Sequence, residues 1–339
     1  MTSMSSAVCA VAAGICLLAG WTAVRRLQHP TKAAPSSSGS ELQECVAFLQ
    51  QHMPERDRGK VDRNLLVHHA RLALKARRAN SWAAAVPWDM FLNDVLPYRN
   101  LDEPLDVDLR SLFLKRFGPI VAASGSTTEA AQLLNRDIWK VWGLHFVPDK
   151  CPEIMSPGQT LAAGYASCTG LSIFLADACR AVGVPARVAG TPSWVMDRRD
   201  SPTERFNNHN WVEVFDGSSW SFTALCLPSN CMRAGLNRTW FFPQPAKGQI
   251  PGNRWHAIYA ASFKQTGLPF PLAWAPDDTT VPGVDVTQAY IDASDTWAPT
   301  AVAAAAVAAA QAKAAAAKTH AADTQAAATR AVADGRVEV

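Results

Sequence analysis

The sequence predicts one α+β domain in which a helical half precedes an antiparallel pair of strands. From Leu171 to Val182 the apolar residues recur at the spacing of one buried helical face. Downstream, His209 to Phe215 alternates in polarity as a strand does and is followed by Asp216-Gly217, a hairpin signal. Several upstream segments also show helical spacing.

Composition bounds the class of protein. The chain has 339 residues and 48% hydrophobic residues, which is enough for one large core or two ordinary ones. The formal net charge is +3, and no basic run stands out. We therefore expect no nucleic-acid partner.

Residues 1–24 are interpreted as a membrane or targeting segment. The run from Ala7 to Val24 carries no charge and would span ~27 Å as a helix, just short of a hydrocarbon core. Arg25 and Arg26 follow at once. Two readings stay open, a signal anchor and a cleaved targeting peptide, and we prefer both to a buried soluble helix. The chain is thus expected at a membrane or in a secretory or organellar compartment, on a side that the sequence does not fix.

Residues 25–40 are rich in Pro, Ser and Gly and are interpreted as a linker, so the folded domain is expected over 41–295. Helical spacing then appears in several segments before the core helix, and Ser126 with Glu129 forms a capping-box pattern. His68 and His69 lie in one such helix. Without a partner at metal-ligand spacing they are interpreted as ordinary histidines.

The core helix is predicted to begin at or just after Cys168. Gly183 suits a left-handed cap at its end, and Pro185 prevents continuation. At a helix N-terminus the free N–H groups and the dipole favour a thiolate, the nucleophilic form of cysteine. Cys168 is therefore a candidate nucleophile.

The predicted strand that begins at His209 supplies a partner. His209, Trp211 and Glu213 share one face, and Val212 and Val214 share the other. A cysteine at a helix tip and a histidine at a strand start suit a Cys-His catalytic pair, which needs proximity in space only.

Three blocks in this order resemble the cysteine and histidine motifs of the transglutaminase-like superfamily. They are Ser167-Cys168-Thr169-Gly170, Ala181-Val182-Gly183-Val184-Pro185-Ala186-Arg187 and His209-Asn210-Trp211-Val212-Glu213-Val214. A wider region, about Glu44 to Tyr290, resembles bacterial-type relatives through residues 53–58, 91–98 and 256–260.

The resemblance implies a papain-like fold, in which the cysteine opens a helix packed on an antiparallel sheet, with a catalytic core at about 150–245. It implies that Cys168 attacks a carboxamide or peptide carbonyl of a protein or peptide and that His209 moves the proton. Water or an amine would then resolve the acyl-enzyme, giving a hydrolase or an acyltransferase. No cofactor or metal is expected, since no clustered acidic loop suggests calcium.

The pattern departs from the family at the third member, commonly an aspartate that orients the histidine. Its usual place falls near Ala224, and no Asp or Glu occurs between Asp216 and Asp277. Asn230 and Asn237 are possible replacements, and His256 ranks below His209 as a second histidine. The alternative function is accordingly a weakly active or inactive module that binds a protein or peptide while tethered to a membrane.

Two further features complete the prediction. Of the eight cysteines, Cys226 and Cys231 could pair in an oxidising compartment, which leaves a redox protein as a weaker option. Cys179 is interpreted as a small buried residue. Residues 296–339 are Ala-rich and are expected to be a helical or disordered tail.

Overall fold

The computed structural model describes residues 38–105, 109–195, 208–223 and 235–297. The α-helices within these ranges are α1 Ser38–His52, α2 Arg63–Ala79, α3 Ser81–Ala84, α4 Trp88–Asp94, α5 Leu109–Val121, α6 Thr127–Trp142, α7 Pro157–Ala163, α8 Cys168–Ala181 and α9 Thr287–Thr296. The strands are β1 His145–Phe146, β2 Tyr165–Ala166, β3 Ala186–Thr191, β4 His209–Phe215, β5 Trp220–Thr223, β6 Tyr259–Ala261 and β7 Gly283–Asp285. The α+β prediction is confirmed.

Helix α8 is the core helix, and its ends follow from local chemistry. Ser167 caps its start by accepting the Gly170 N–H at 3.4 Å. Beyond its last residue, Gly183 has φ +95°, as a left-handed cap requires, and a Cβ there would lie 3.0 Å from Ala83 Cβ. Most α8 side chains are buried, because α5, α6 and α7 cover one side and β3 and β4 the other.

Five strands form an antiparallel sheet in the order β5-β4-β3-β6-β7. Thr191 of β3 lies opposite His209 of β4, and Val212 of β4 lies opposite Thr223 of β5. One face of the sheet packs Val212 and Val214 into the cluster formed with α8. The other face belongs to an aromatic cluster with Trp211. The alternating side chains predicted for β4 therefore point into two different hydrophobic cores, one on each face of the sheet.

The helical N-terminal half is attached to the C-terminal end of α8 through buried arginines. Arg110 of α5 donates to the Arg180 carbonyl at 3.0 Å, and Arg180 donates to the Arg99 carbonyl at 3.0 Å. Arg99 is itself paired with Asp57, at 2.6 Å. These bonds satisfy buried charges and fix the end of α8 that lies away from Cys168.

The structure differs from the sequence-based expectations in several places. Helix α1 begins at Ser38, inside the predicted linker. The sequence also suggested a short strand over residues 194–196, but the described residues Trp194 and Val195 form no strand, and the Val195 N–H donates to the Gln249 side chain at 2.8 Å instead. A short parallel pair, β1 with β2, was not anticipated.

Several predictions concern residues that the structure does not describe. They are the segment 7–24, Ala224, Cys226, Asn230, Cys231 and the tail beyond 297. Among the helices of the described ranges, none is both long enough and apolar enough to cross a bilayer.

Candidate active site

Cys168 is the first residue of α8 and is partly exposed with a free thiol. The N–H groups of Cys168, Thr169 and Asn210 and the Thr169 hydroxyl surround its sulfur and act to lower its pKa. Burial acts the other way and is the larger effect, so the pKa of the Cys168 thiol is raised. The donors expected at the helix tip are present, but the expected net acidification of this thiol is wrong, because desolvation outweighs them.

His209 opens β4, and its imidazole is half-buried against three aromatic rings. The ring centroids lie 5.8 Å from Trp211, 5.2 Å from Trp240 and 5.5 Å from Phe241. Burial among these rings lowers the pKa of His209 to about 4, since the charged imidazolium is desolvated there. The imidazole is consequently neutral at neutral pH and able to accept a proton.

A hydrogen bond joins the segments that carry the two candidates. Asn210 Nδ2 donates to Thr169 Oγ1 at 2.8 Å, and both residues are buried. The side chain of Asn210 passes directly over Gly190 of β3, where a Cβ would lie 1.9 Å from Asn210 Oδ1. Gly190 therefore leaves the space through which the strand start reaches the helix tip.

The two candidate side chains lie on segments that are hydrogen-bonded to each other through Asn210 and Thr169. No hydrogen bond among the described residues links Cys168 Sγ to the His209 ring, and the strand alternation places His209 on the aromatic face and Asn210 on the α8 face. Both groups are neutral at rest. A direct proton transfer between them would need the imidazole within hydrogen-bonding distance of the sulfur.

Behind His209 lies a buried polar network that the sequence did not reveal. Trp211 Nε1 donates to Tyr290 Oη at 2.7 Å, and Tyr290 Oη donates to Glu213 Oε1 at 2.8 Å. Arg187 Nε donates to Glu213 Oε2 at 2.7 Å. This network fixes Trp211, against which His209 packs. The sequence signal for this network was Glu213, an acidic residue inside an apolar strand and on the same face as His209.

Neither of the other predicted candidates in the described ranges approaches Cys168 through a hydrogen bond. Asn237 donates to Ser221 Oγ at 3.2 Å and accepts the Phe222 N–H at 3.0 Å, so its amide braces β5 and does not orient His209. His256 Nδ1 lies 3.3 Å from the carbonyl of Ser193. Asn237, which the sequence offered only as one conceivable replacement for the third member, is therefore engaged at β5 instead.

The end of the sheet at which His209 lies carries a second polar group of residues. Gln249 Nε2 donates to Thr191 Oγ1 at 2.7 Å and to the carbonyl of Ser193 at 3.0 Å. Thr191 is the ladder partner of His209. Among the described residues, no group of three or more His, Cys, Asp or Glu side chains could hold a metal ion.

Comparison with known proteins places this geometry in context. Residues 118–223, which run from α5 to β5 and contain Cys168 and His209, match the family model of the transglutaminase-like superfamily. No curated protein matches the chain. One similar solved structure is a candidate cysteine protease from Cytophaga hutchinsonii, with 18% identity and a TM-score of 0.26. That match covers 34% of this chain and 35% of the other, so the chain spans about a third of that protein's length.

Proposed function

We propose that this chain, which belongs to the transglutaminase-like superfamily through residues 118–223, is a cysteine-dependent acyl-transfer enzyme that acts on a carboxamide or peptide bond of a protein or peptide. Cys168 is the nucleophile and His209 the general base. The observation that carries the proposal is the bond from Asn210 to Thr169, which ties the residue after His209 to the residue after Cys168.

The protonation states favour a concerted first step. With the pKa of the Cys168 thiol raised and the pKa of His209 lowered to about 4, the resting pair is a thiol and a neutral imidazole. As the sulfur attacks the carbonyl carbon, His209 accepts the thiol proton, and a tetrahedral intermediate with an oxyanion forms. This intermediate collapses to the thioester acyl-enzyme when the amine leaves. His209 then returns the proton to the leaving amine or ammonia.

The helix tip supplies the oxyanion donors. Ser167 occupies the Gly170 N–H, whereas the N–H groups of Cys168 and Thr169 are first-turn groups directed at the sulfur. Such donors stabilise the negative oxygen that develops on the carbonyl, an effect typically worth ~10²–10³ in kcat for one donor. The acyl-enzyme is resolved by water in a hydrolase or by an amine in a transferase.

A vinyl-sulfone or iodoacetamide probe under reducing conditions tests the pair. Although burial raises the pKa of the Cys168 thiol, His209 accepts its proton during attack in the proposed mechanism, so we expect alkylation at Cys168 faster than at Cys151. Cys151 is also partly exposed and serves as the internal reference. His209→Ala should remove that excess while leaving Cys151 unchanged. Equal labelling of the two cysteines in the wild-type chain would contradict the enzyme proposal.

A second candidate function is a peptide-binding module with little or no activity. It is favoured by the missing hydrogen bond between Cys168 and His209 in the described part of the chain and by the raised pKa of the thiol. Peptide binding that survives Cys168→Ala, combined with no turnover of glutamine-containing or ordinary peptides, would support this function.

Membrane attachment through residues 7–24 is also part of the proposal, on the strength of their uncharged composition. The full chain is expected to resist alkaline extraction from membranes. A chain that begins at Ser38 should be released, and release of both forms would contradict an anchor.

A further inference from the structure

A second thiol lies next to the tip of α8. Cys151 is partly exposed and follows the 3₁₀ turn Pro148–Lys150. Its Sγ donates to the carbonyl of Val147 at 3.0 Å, and the Val147 N–H donates to the carbonyl of Ala166 at 3.1 Å. Two hydrogen bonds therefore lead from Cys151 to the strand that ends two residues before Cys168.

The groups that act on the Cys151 sulfur also come from the start of α8. The backbone N–H of Ser167, the residue before Cys168, lies close enough to lower the pKa of Cys151, and a charge on Cys168 would raise it. The largest effect is burial, which raises the pKa of this thiol. The two sulfurs thus lie within electrostatic range of each other, on segments joined by the β1–β2 pair.

The proposed chemistry leaves Cys151 without a role. Among the described cysteines, Cys45 and Cys179 are fully buried, whereas Cys151 and Cys168 are partly exposed. Of the four cysteines in the described ranges, Cys151 and Cys168 are therefore the two that a water-soluble oxidant would reach more readily. Access from solvent and a nearby second thiol are two features of a nucleophilic and resolving pair. The third feature, thiolate character, grows at Cys168 as the pH rises, because burial raises the pKa of this thiol.

We propose that Cys151 is a resolving cysteine that forms a reversible disulfide with Cys168 and so closes the candidate site to substrate. A peroxide is the oxidant. The Cys168 sulfur attacks one peroxide oxygen, the O–O bond breaks, and Cys168 sulfenic acid and water form. The Cys151 sulfur then attacks the Cys168 sulfur, the S–O bond breaks, and a second water leaves with the Cys151 proton.

In this sequence two thiols lose two electrons and one hydrogen peroxide is reduced to two waters. A dithiol reverses the reaction by exchange. To approach Cys168, the Cys151 sulfur has to exchange its contacts with the Val147 carbonyl and the Ser167 N–H. Cys151 lies outside the strands and α-helices, where its own N–H is bonded to the Pro148 carbonyl at 3.2 Å. Loss of activity on oxidation rests on the proposed function, but formation of the disulfide does not.

Peptide mapping of the full chain after treatment with hydrogen peroxide tests the disulfide directly. Cleavage after Lys150, Glu153 and Arg180 places Cys151 on one peptide and Cys168 on another. We expect these peptides to be linked under non-reducing conditions and separate after a dithiol, with fragment ions assigning the bond to Cys168 and not to Cys179. Cys168 oxidised without a link to Cys151 would overturn the proposal.

A pair of variants supplies the functional readout. In Cys151→Ser, peroxide should drive Cys168 to sulfinic acid, so thiol titration after a dithiol recovers at least fivefold less Cys168 than in the wild type. Cys179→Ala, the matched control, should recover like the wild type. Equal recovery in Cys151→Ser and the wild type would also contradict the proposal, whether or not the chain proves to be an enzyme.

Discussion

The side-chain amide of Asn210 donates to the hydroxyl of Thr169 at 2.8 Å inside the interface of α8 with β4. This bond holds the start of β4, which carries His209, against the start of α8, which carries Cys168. Removing it should disturb the relative position of Cys168 and His209 more than it disturbs the core.

Under the proposed function, Asn210→Ala is expected to lower kcat/KM about 10–100-fold and to cost about 1–2 kcal/mol of unfolding free energy, because it removes the buried amide that donates to the Thr169 hydroxyl oxygen. Thr169→Val should behave similarly, whereas Thr169→Ser keeps the hydroxyl and should recover most of the activity. Activity measured with matched denaturation curves separates the two effects. Equal activities of Thr169→Val and Thr169→Ser would show that the bond has no positioning role.

Gly190→Ala tests the space under Asn210. The new methyl group would lie 1.9 Å from Asn210 Oδ1 and 2.8 Å from the His209 carbonyl, so the start of β4 has to shift. We expect a loss of about 1–3 kcal/mol in urea denaturation and a loss of reactivity at Cys168. Gly118→Ala in α5 is the control, since its methyl would meet only Leu114 Cδ1 at 3.9 Å and should be neutral or stabilising by up to ~1 kcal/mol.

The resting protonation states predict a distinctive pH dependence of alkylation. Burial raises the pKa of Cys168 and lowers the pKa of His209 to about 4, so no thiolate–imidazolium pair exists near neutral pH. The alkylation rate of Cys168 should therefore keep rising through pH 9. A plateau that begins near pH 4–5 would indicate a preformed ion pair and would contradict this assignment.

The far end of α8 predicts a pH dependence of stability. Burial and the nearby Glu103 raise the pKa of Asp177 to about 7, from an ordinary value of 3.8. The folded protein therefore binds this proton more tightly than the unfolded chain, and stability attributable to Asp177 falls as the pH rises from about 4 to 7.

Asp177→Asn should reduce this pH-dependent loss of unfolding free energy by on the order of 1–3 kcal/mol. The substituted amide oxygen can still accept the hydrogen bond from Asn100, which is 2.9 Å long with Asp177. Unfolding free energies at pH 5 and pH 8 give the measurement. Asp137→Asn on the surface of α6 is the control, because the pKa of Asp137 is lowered by Arg136 and its pair is exposed. An unchanged slope in Asp177→Asn would contradict the assignment.

Local signals predicted the elements that hold the candidate site. The strand over His209–Phe215 lies within the segment 208–217 that was predicted as a strand ending in a turn, and α8 ends before Gly183 as its cap and Pro185 indicated. Each depends on periodicity, capping or turn chemistry, which are encoded within a few residues. The Ser126 cap of α6 was found for the same reason.

What escaped prediction depends on residues that are distant in sequence. The low pKa of His209 comes from burial beside Trp240 and Phe241, and the fixed position of Trp211 comes from Tyr290. The position of Cys151 beside Ser167 needs the parallel pairing of β1 with β2. Neither spacing nor composition records such contacts, because they arise only when separate elements pack.

The enclosure of α8 has a consequence for how such a protein can change. Its tip cannot move without unpacking helices on one side and the sheet on the other. Adjustments of specificity would therefore accumulate on the imidazole side, in loops and aromatic rings near the start of β4, while the sulfur keeps its place. If the proposed acyl-transfer function holds, directed evolution of specificity should leave residues 167–181 fixed and diversify the neighbours of His209.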